Sequence, residues 1–409
     1  MRRLLPLASL FAAIPLSAQQ PEASTDQPTI IVTGPRLQGY RDALARCLAR
    51  HCPPNEDADA TLALAEALFL DGAYHEGRDA VAASLRRNRD QTRGYPEPVS
   101  DLYRAHARLS RHLGEDEDGR RSTYGALRAL QEGIPAEDHR HFTARLEVSE
   151  MQMQRGNLPA ARRELQDLAR VARAAGREDV ATVAELRSLW FELIVDPQSD
   201  ARARLIALSR LGAAADHMRA TGARLLLARF YRGAGQAARA DALLAEVGRS
   251  ASTATRRQLI YSPPYQMQVQ DTVAVRDTVD SAGMQGPSEL ALGNFTVANV
   301  NSSMPDNFED KWIDVGFWIM PDGRVSGLEI LRNRNNPDWA DPLIESIRAR
   351  AYSAGTEATY RMERYTYTAG YQELTGSHIR RRTRAARVEY LDLTTSDAPP
   401  TPPTSGGSI

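Results

Sequence analysis

The stretch Lys311–Tyr371 reads KWIDVGFWIMPDGRVSGLEILRNRNNPDWADPLIESIRARAYSAGTEATYRMERYTYTAGY, and its local signals agree on one small domain. Ile313, Val315, Phe317 and Ile319 alternate with Trp312, Asp314, Gly316 and Trp318, the period of a half-buried strand. Pro321, Asp322 and Gly323 stop the run with a preset φ and a residue that tolerates positive φ, which predicts a hairpin turn. Arg324 to Arg332 alternates again and makes the second strand. Asp341-Pro342 then starts a helix: Leu343, Ile344, Ile347 and Ala351 fall at helical spacing, and Gly355 suits the position past its end. Arg361 to Tyr371, rich in Tyr and Thr, is a last strand. The order is ββαβ, with the helix covering one face of the sheet.

Upstream, residues 40–259 are rich in Ala, Leu and Arg and carry helical periodicity. Turn signals recur at Asp71-Gly72-Ala73-Tyr74, around Gly114, at Arg155-Gly156-Asn157-Leu158 and at Ala234-Gly235-Gln236-Ala237. Small residues on either side allow close helix crossing, and glycine makes the turn. The turn glycines are 42, 42 and 79 residues apart, and the long gap conceals a further turn at Asp196-Pro197-Gln198-Ser199. The pattern predicts about five helix pairs stacked as a right-handed solenoid.

These repeats resemble tetratricopeptide repeats, with a longer period. Residues 290–373 resemble the C-terminal domain of TonB-type energy transducers: the alternating strand, the PDGRV turn at Pro321–Val325, the second strand and the helix Asp341–Tyr352 carry the likeness. The fold class expected is therefore an α + α/β multidomain chain, an all-α tetratricopeptide-like solenoid followed by a TonB-C-like ββαβ domain. The resemblance implies strand addition, in which an extended peptide pairs with the edge of the last strand. The peptide-binding edge would then be Arg361, Met362, Glu363, Arg364, Tyr365, Thr366, Tyr367 and Thr368. The partners implied are proteins or peptides, TonB-dependent outer-membrane receptors among them.

The first residues, MRRLLPLASLFAAIPLSAQQ, have a basic start and an apolar run interrupted by Pro6 and Pro15, too short to span a bilayer. They predict a signal peptide over 1–18, cleaved between Ala18 and Gln19, and a periplasmic product of a Gram-negative cell with no transmembrane segment after cleavage. Residues 19–39 are polar apart from Thr29–Gly34, an island that resembles a TonB box and reads equally as a tail with some apolar residues. Cys47 and Cys52 bracket Leu48-Ala49-Arg50-His51; in an exported chain they predict a local disulfide, with a zinc site through His51 as the sharper alternative. Residues 260–289 read as a linker. Residues 374–409 read as a basic and then disordered tail, whose run Arg380–Arg384 is either a solvated face or a contact for anionic lipid.

A net charge of −1 excludes nucleic acid as a bulk electrostatic partner, and Lys311 is the only lysine. No nucleophile elbow, phosphate loop, dinucleotide fingerprint or His-Glu-x-x-His occurs. His139 and His141 are two apart and diverge on a helix. The sequence predicts a non-enzymatic protein without cofactor or metal, and the second class of function it allows is a TonB-type energy transducer serving transmembrane transport.

Overall fold

Every turn read from the sequence between residues 71 and 237 joins two helices. The computed structural model describes residues 34–212, 216–250, 257–263, 308, 311–335, 337–373 and 380–394. The signal region ending at Ala18 and Gln19, the island up to Thr33, Tyr265–Val279 and Phe295–Val297 lie outside them. After α1 (Gly34–Ala49) come five helical hairpins among the described residues: α2 (Pro54–Asp71) with α3 (Tyr74–Asn88), α4 (Pro96–His112) with α5 (Asp116–Gly133), α6 (His139–Gln154) with α7 (Leu158–Ala174), α8 (Glu178–Val195) with α9 (Ala201–Ser209), and α10 (His217–Gly233) with α11 (Ala237–Ser250). Gly72, Gly114, Gly156 and Gly235 take φ of 82°, 75°, 73° and 73°. In each turn the following N–H reaches back five residues, as from Ala73 to Leu68 O at 2.8 Å and from Glu115 to Ser110 O at 2.7 Å. That bond closes the last helical turn and starts the next helix at once.

The helical core is built from the small and aliphatic positions of these hairpins. Ala161, Leu165, Leu168, Ala184, Leu189 and Leu193 form one cluster across α7 and α8, and Ala58, Ala65, Val81, Leu102 and Leu109 another across α2–α4. Asp57 is a buried polar node in the first hairpin: Arg87 donates to it at 2.8 and 2.7 Å, Asn88 at 2.7 Å and Thr61 at 3.0 Å. Cys47 and Cys52 form a disulfide with Cα atoms 5.2 Å apart, between α1 and α2.

The C-terminal sheet has four antiparallel strands in the order β3-β2-β5-β6: β2 (Trp312–Ile319), β3 (Val325–Arg334), β5 (Thr359–Glu373) and β6 (Arg380–Asp392). Pro321-Asp322-Gly323 makes the β2–β3 turn as expected, with the Gly323 N–H on Met320 O at 2.8 Å and the Arg324 N–H on the Asp322 carboxylate at 3.0 Å. One face, Ile313, Val315, Phe317, Ile319, Tyr365, Tyr367, Ala386 and Val388, packs on Leu343, Ile344 and Ile347 of α12 (Asp341–Arg348).

Five expectations are corrected. Strand β2 is buried along its whole length, because on its second face Trp312 meets the helical domain and Trp318 packs on Tyr360 rather than facing solvent. Helix α12 ends at Arg348, not near Tyr352: Arg350 turns inward to Glu363, and Ala351–Tyr352 become a short strand, β4. Gly355 is not the helix cap but lies against Arg257, whose guanidinium donates to Ser353 O at 3.2 Å. Residues 257–263, taken as helix end and linker, include β1 (Leu259–Tyr261), which pairs antiparallel with β4 while Ile260 packs on Ala228 of α10 and Ala240 of α11. The fifth correction is the largest. Residues 380–392, read as a basic tail, are strand β6, since Ala386, Val388 and Tyr390 alternate with Arg387, Glu389 and Leu391 to serve two buried faces.

Candidate partner-binding surface

The alternation in β5 divides its side chains between two environments. Glu363, Tyr365 and Tyr367 point to the α12 face, and Met362, Arg364, Thr366 and Thr368 to the helical repeats. Arg364 is completely buried. It holds Asp314 through two bonds of 2.6 and 2.8 Å, stacks on Trp312 at 3.9 Å from the ring centroid, and donates to the carbonyls of Phe69 and, at 2.9 Å, Leu70. Those carbonyls end α2, where the last acceptors and the negative pole of the helix favour a cation, and Phe69 O also accepts the Gly72 N–H at 3.0 Å. Burial works against the charge on Arg364, yet Asp314 holds the guanidinium protonated and its pKa above the usual value. Asp314 takes a second cation, Arg332, at 2.6 Å.

Beside this ion pair, Thr366 shares hydrogen bonds with Tyr74 at 3.0 Å and His112 at 2.8 Å, within an aromatic cluster that includes Phe69. Burial, with the cations Arg111, Arg364, Arg108 and Arg387 around it, keeps His112 neutral and far below its ordinary pKa. Arg387 of β6 ion-pairs with Asp116 at the start of α5 and donates to Arg111 O at 3.3 Å. The sheet is thus fixed to the turn ends of the first two hairpins. Through β4 and β1 it is also fixed to the fifth, with Ser346 donating to Pro263 O at 2.6 Å.

The predicted peptide-binding edge is therefore not an edge. Residues 359–366 pair with β2 and 363–373 with β6, and Met362 is closed by Leu393 N–H at 2.8 Å and Thr394 at 3.1 Å. Arg361 pairs with Asp392 at 2.7 Å, and Thr368 accepts from Arg382 at 3.3 Å. Glu363 lies in the sheet core with Arg350 at 2.8 Å and the hydroxyls of Tyr365 and Tyr390. Tyr367 stacks on Phe308 and Trp339, each at 5.2 Å between centroids. Of that octet, Arg364, Thr366 and Thr368 join the two domains instead.

Two clefts remain open along the first helices of the hairpins. The smaller, of about 390 Å³, lies among α6, α8 and α10 beside β1, floored by Leu186, Trp190 and Leu225. The other, of about 450 Å³, lies between α2 and α4 beside Met362 and Leu393. Apart from Met362, sequence reasoning named none of these residues. Only the turn glycines Gly72 and Gly114, which it did find, mark where the sheet attaches. Among the described residues no group of three His, Cys, Asp or Glu side chains could hold a metal ion, and no helix is long and apolar enough to cross a membrane. Asp138 caps α6 by accepting the Arg140 N–H at 3.0 Å, and His141 bonds Ile134 O at 3.2 Å, so that cluster has local structural roles.

No protein-family model and no curated protein matches the chain. Among similar solved structures, the crystal structure of BtubC (BKLC) from P. vanneervenii has 15% identity and a TM-score of 0.41, over 59% of this chain and 97% of that one. The apo form of RapI has 9% identity and a TM-score of 0.31, over 51% of this chain and 70% of that one. Likeness at this level speaks to neither activity nor partner.

Proposed function

We propose that the chain is a non-enzymatic, exported protein of the periplasm that binds protein partners through the first-helix face of its repeats, with the sheet domain as a fixed part of that surface. The observation that carries this reading is the two-point attachment of the sheet, at Arg364 and at the β1–β4 pair, which frames two open clefts without filling them. Preorganised concave surfaces of this kind suit peptides and partner helices. Strand addition at β5 is excluded by its pairing on both sides; the strand edges left for it are the outer ones of β3 and β6.

A second reading, a TonB-type energy transducer acting on TonB-dependent outer-membrane receptors, is favoured by the order β2, β3, α12, β5 in residues 312–373, with the two-residue β4 before β5. It asks a tethered, mobile domain to transmit force through its last strand. A sheet locked to the repeats by a buried ion pair is poorly suited to that task.

Photo-crosslinking in the native cell tests the proposal, with the reactive group at Leu225 or Met362 in the clefts and at exposed Arg128 on α5 as control. Protein adducts at the cleft positions and not at Arg128, on a soluble product starting near Gln19, are expected. A product that keeps Met1 in the inner membrane would turn the case to the transducer.

A further inference from the structure

We propose that the cleft between α2 and α4 is a docking site for this chain's own proline-rich segment, Ala398–Pro403, which covers it until a partner displaces it. The self-contact stands on the cleft itself; its role as a cover rests on the partner-binding reading above.

Strand β6 delivers the chain into this cleft. Leu391, Leu393 and Thr394 line it together with Leu62 and Phe69 of α2 and Leu109 of α4. The Leu393 N–H bonds Met362 O at 2.8 Å, and the Met362 N–H bonds the Thr394 hydroxyl at 3.1 Å, so the exit point is pinned. The Thr394 N–H also meets the Asp392 carboxylate at 3.0 Å, a side-chain turn that begins to bend the backbone. The sequence then runs Thr395-Ser396-Asp397-Ala398-Pro399-Pro400-Thr401-Pro402-Pro403. Ser396 and Asp397 are turn formers, and a reversal there brings 398–403 back over the cleft. In a polyproline II helix those residues span about 19 Å. The length of α2 from Leu62 to Leu70, which lines the cleft, is about 12 Å.

The chemistry of the cleft suits this occupant. Its walls are largely apolar and its volume is about 450 Å³, room for a few small side chains. Its charges offset: exposed Arg108 stands against exposed Glu66, and Asp392 is engaged by Arg361 at 2.7 Å. No ion is therefore selected, and Ala398–Pro403 carries none. An apolar groove also penalises every N–H group it buries without an acceptor. Four of these six residues are prolines, which bring no N–H and have a fixed φ. Their rings gain burial with little backbone freedom left to lose.

Met362, on the cleft wall, is a native reporter, because a covered thioether is oxidised slowly. The test exposes the full chain to hydrogen peroxide and follows each methionine by mass spectrometry, beside a full-length variant carrying Pro399→Asp and Pro400→Asp. Oxidation of Met362 should be at least threefold faster in the variant, with Met218, exposed on α10, unchanged. Equal rates at Met362 would overturn the proposal. A photo-reactive residue at exposed Glu66 gives a second measurement on the purified chain. Adducts within a monomer should map to 398–403 and fall at least fivefold in the double variant. Adducts undiminished in that variant would reflect the tether alone and overturn the proposal, and adducts of dimer mass would overturn it in favour of a second copy. Partner adducts at Leu225 test the partner-binding reading separately, so the self-contact can fail while that reading stands.

Discussion

The indole of Trp312 occupies the space that a side chain on Gly72 would need. The same relation holds between the carbonyl of Ala369 and Gly114, whereas a Cβ on Gly156 or Gly235 would meet nothing. All four glycines have the same left-handed conformation, so their differences isolate docking from turn chemistry.

Gly156→Ala should cost about 1 kcal/mol, the strain of alanine at positive φ. Gly72→Ala and Gly114→Ala should cost that plus a further 1–3 kcal/mol or so for displacing the sheet. They should also make the chain between the domains sensitive to protease. Urea melts and limited proteolysis of the four alanine variants check this, and equal losses at all four sites would contradict the docking account.

Removing one partner of the buried Arg364–Asp314 pair strands the other charge, a loss of about 3–5 kcal/mol. Arg364→Ala should show it in chemical denaturation. Arg364→Met combined with Asp314→Leu should recover much of the loss, although Arg332 then lacks its acceptor.

Acid should loosen the joint through His112. Its folded pKa is depressed, so the unfolded chain takes the proton first. Stability is then full above pH about 6.5 and falls as the pH drops below it, by at most about 1.4 kcal/mol per unit. Burial also lowers His106, so the informative quantity is the difference from His112→Asn, which should show a shallower fall between pH 7.5 and 5.5.

At still lower pH the carboxyl of Asp57 enters. Burial alone would raise it, but the bonds from Arg87 and Asn88 hold it below the usual range. Its contribution is present above pH about 4 and is lost as the pH falls below that toward its depressed folded value. Asp57→Asn should lower stability at neutral pH and weaken the acid dependence; identical slopes in wild type and variant would exclude it as the titrating group.

Reduction of Cys47–Cys52 should cost about 2 kcal/mol or less, because the loop it closes is short. Hydrogen exchange should speed up in α1 and leave α6–α11 unchanged.

The helical hairpins were legible because a glycine at a helix end is a local requirement that no distant contact has to satisfy. Strand β6 was obscured by its arginines, which read as a solvated run although Arg387 is tied to Asp116 and Arg382 lies over the Tyr371 ring at 4.8 Å. Arg364 was legible as a strand residue but not as an interior one, since its acceptors, the carbonyls of Phe69 and Leu70, are some three hundred positions away. One cleft draws its walls from three hairpins and the other from two hairpins and the sheet, and no window of sequence contains either.

A solenoid of helical hairpins behaves as a spring, since each repeat touches only its neighbours. Here a chord is stretched across the coil, fastened near Gly72 and Gly114 at one end and at Ile260 at the other. Its curvature is set before anything binds, and a partner must match a fixed arc rather than bend one to its own shape.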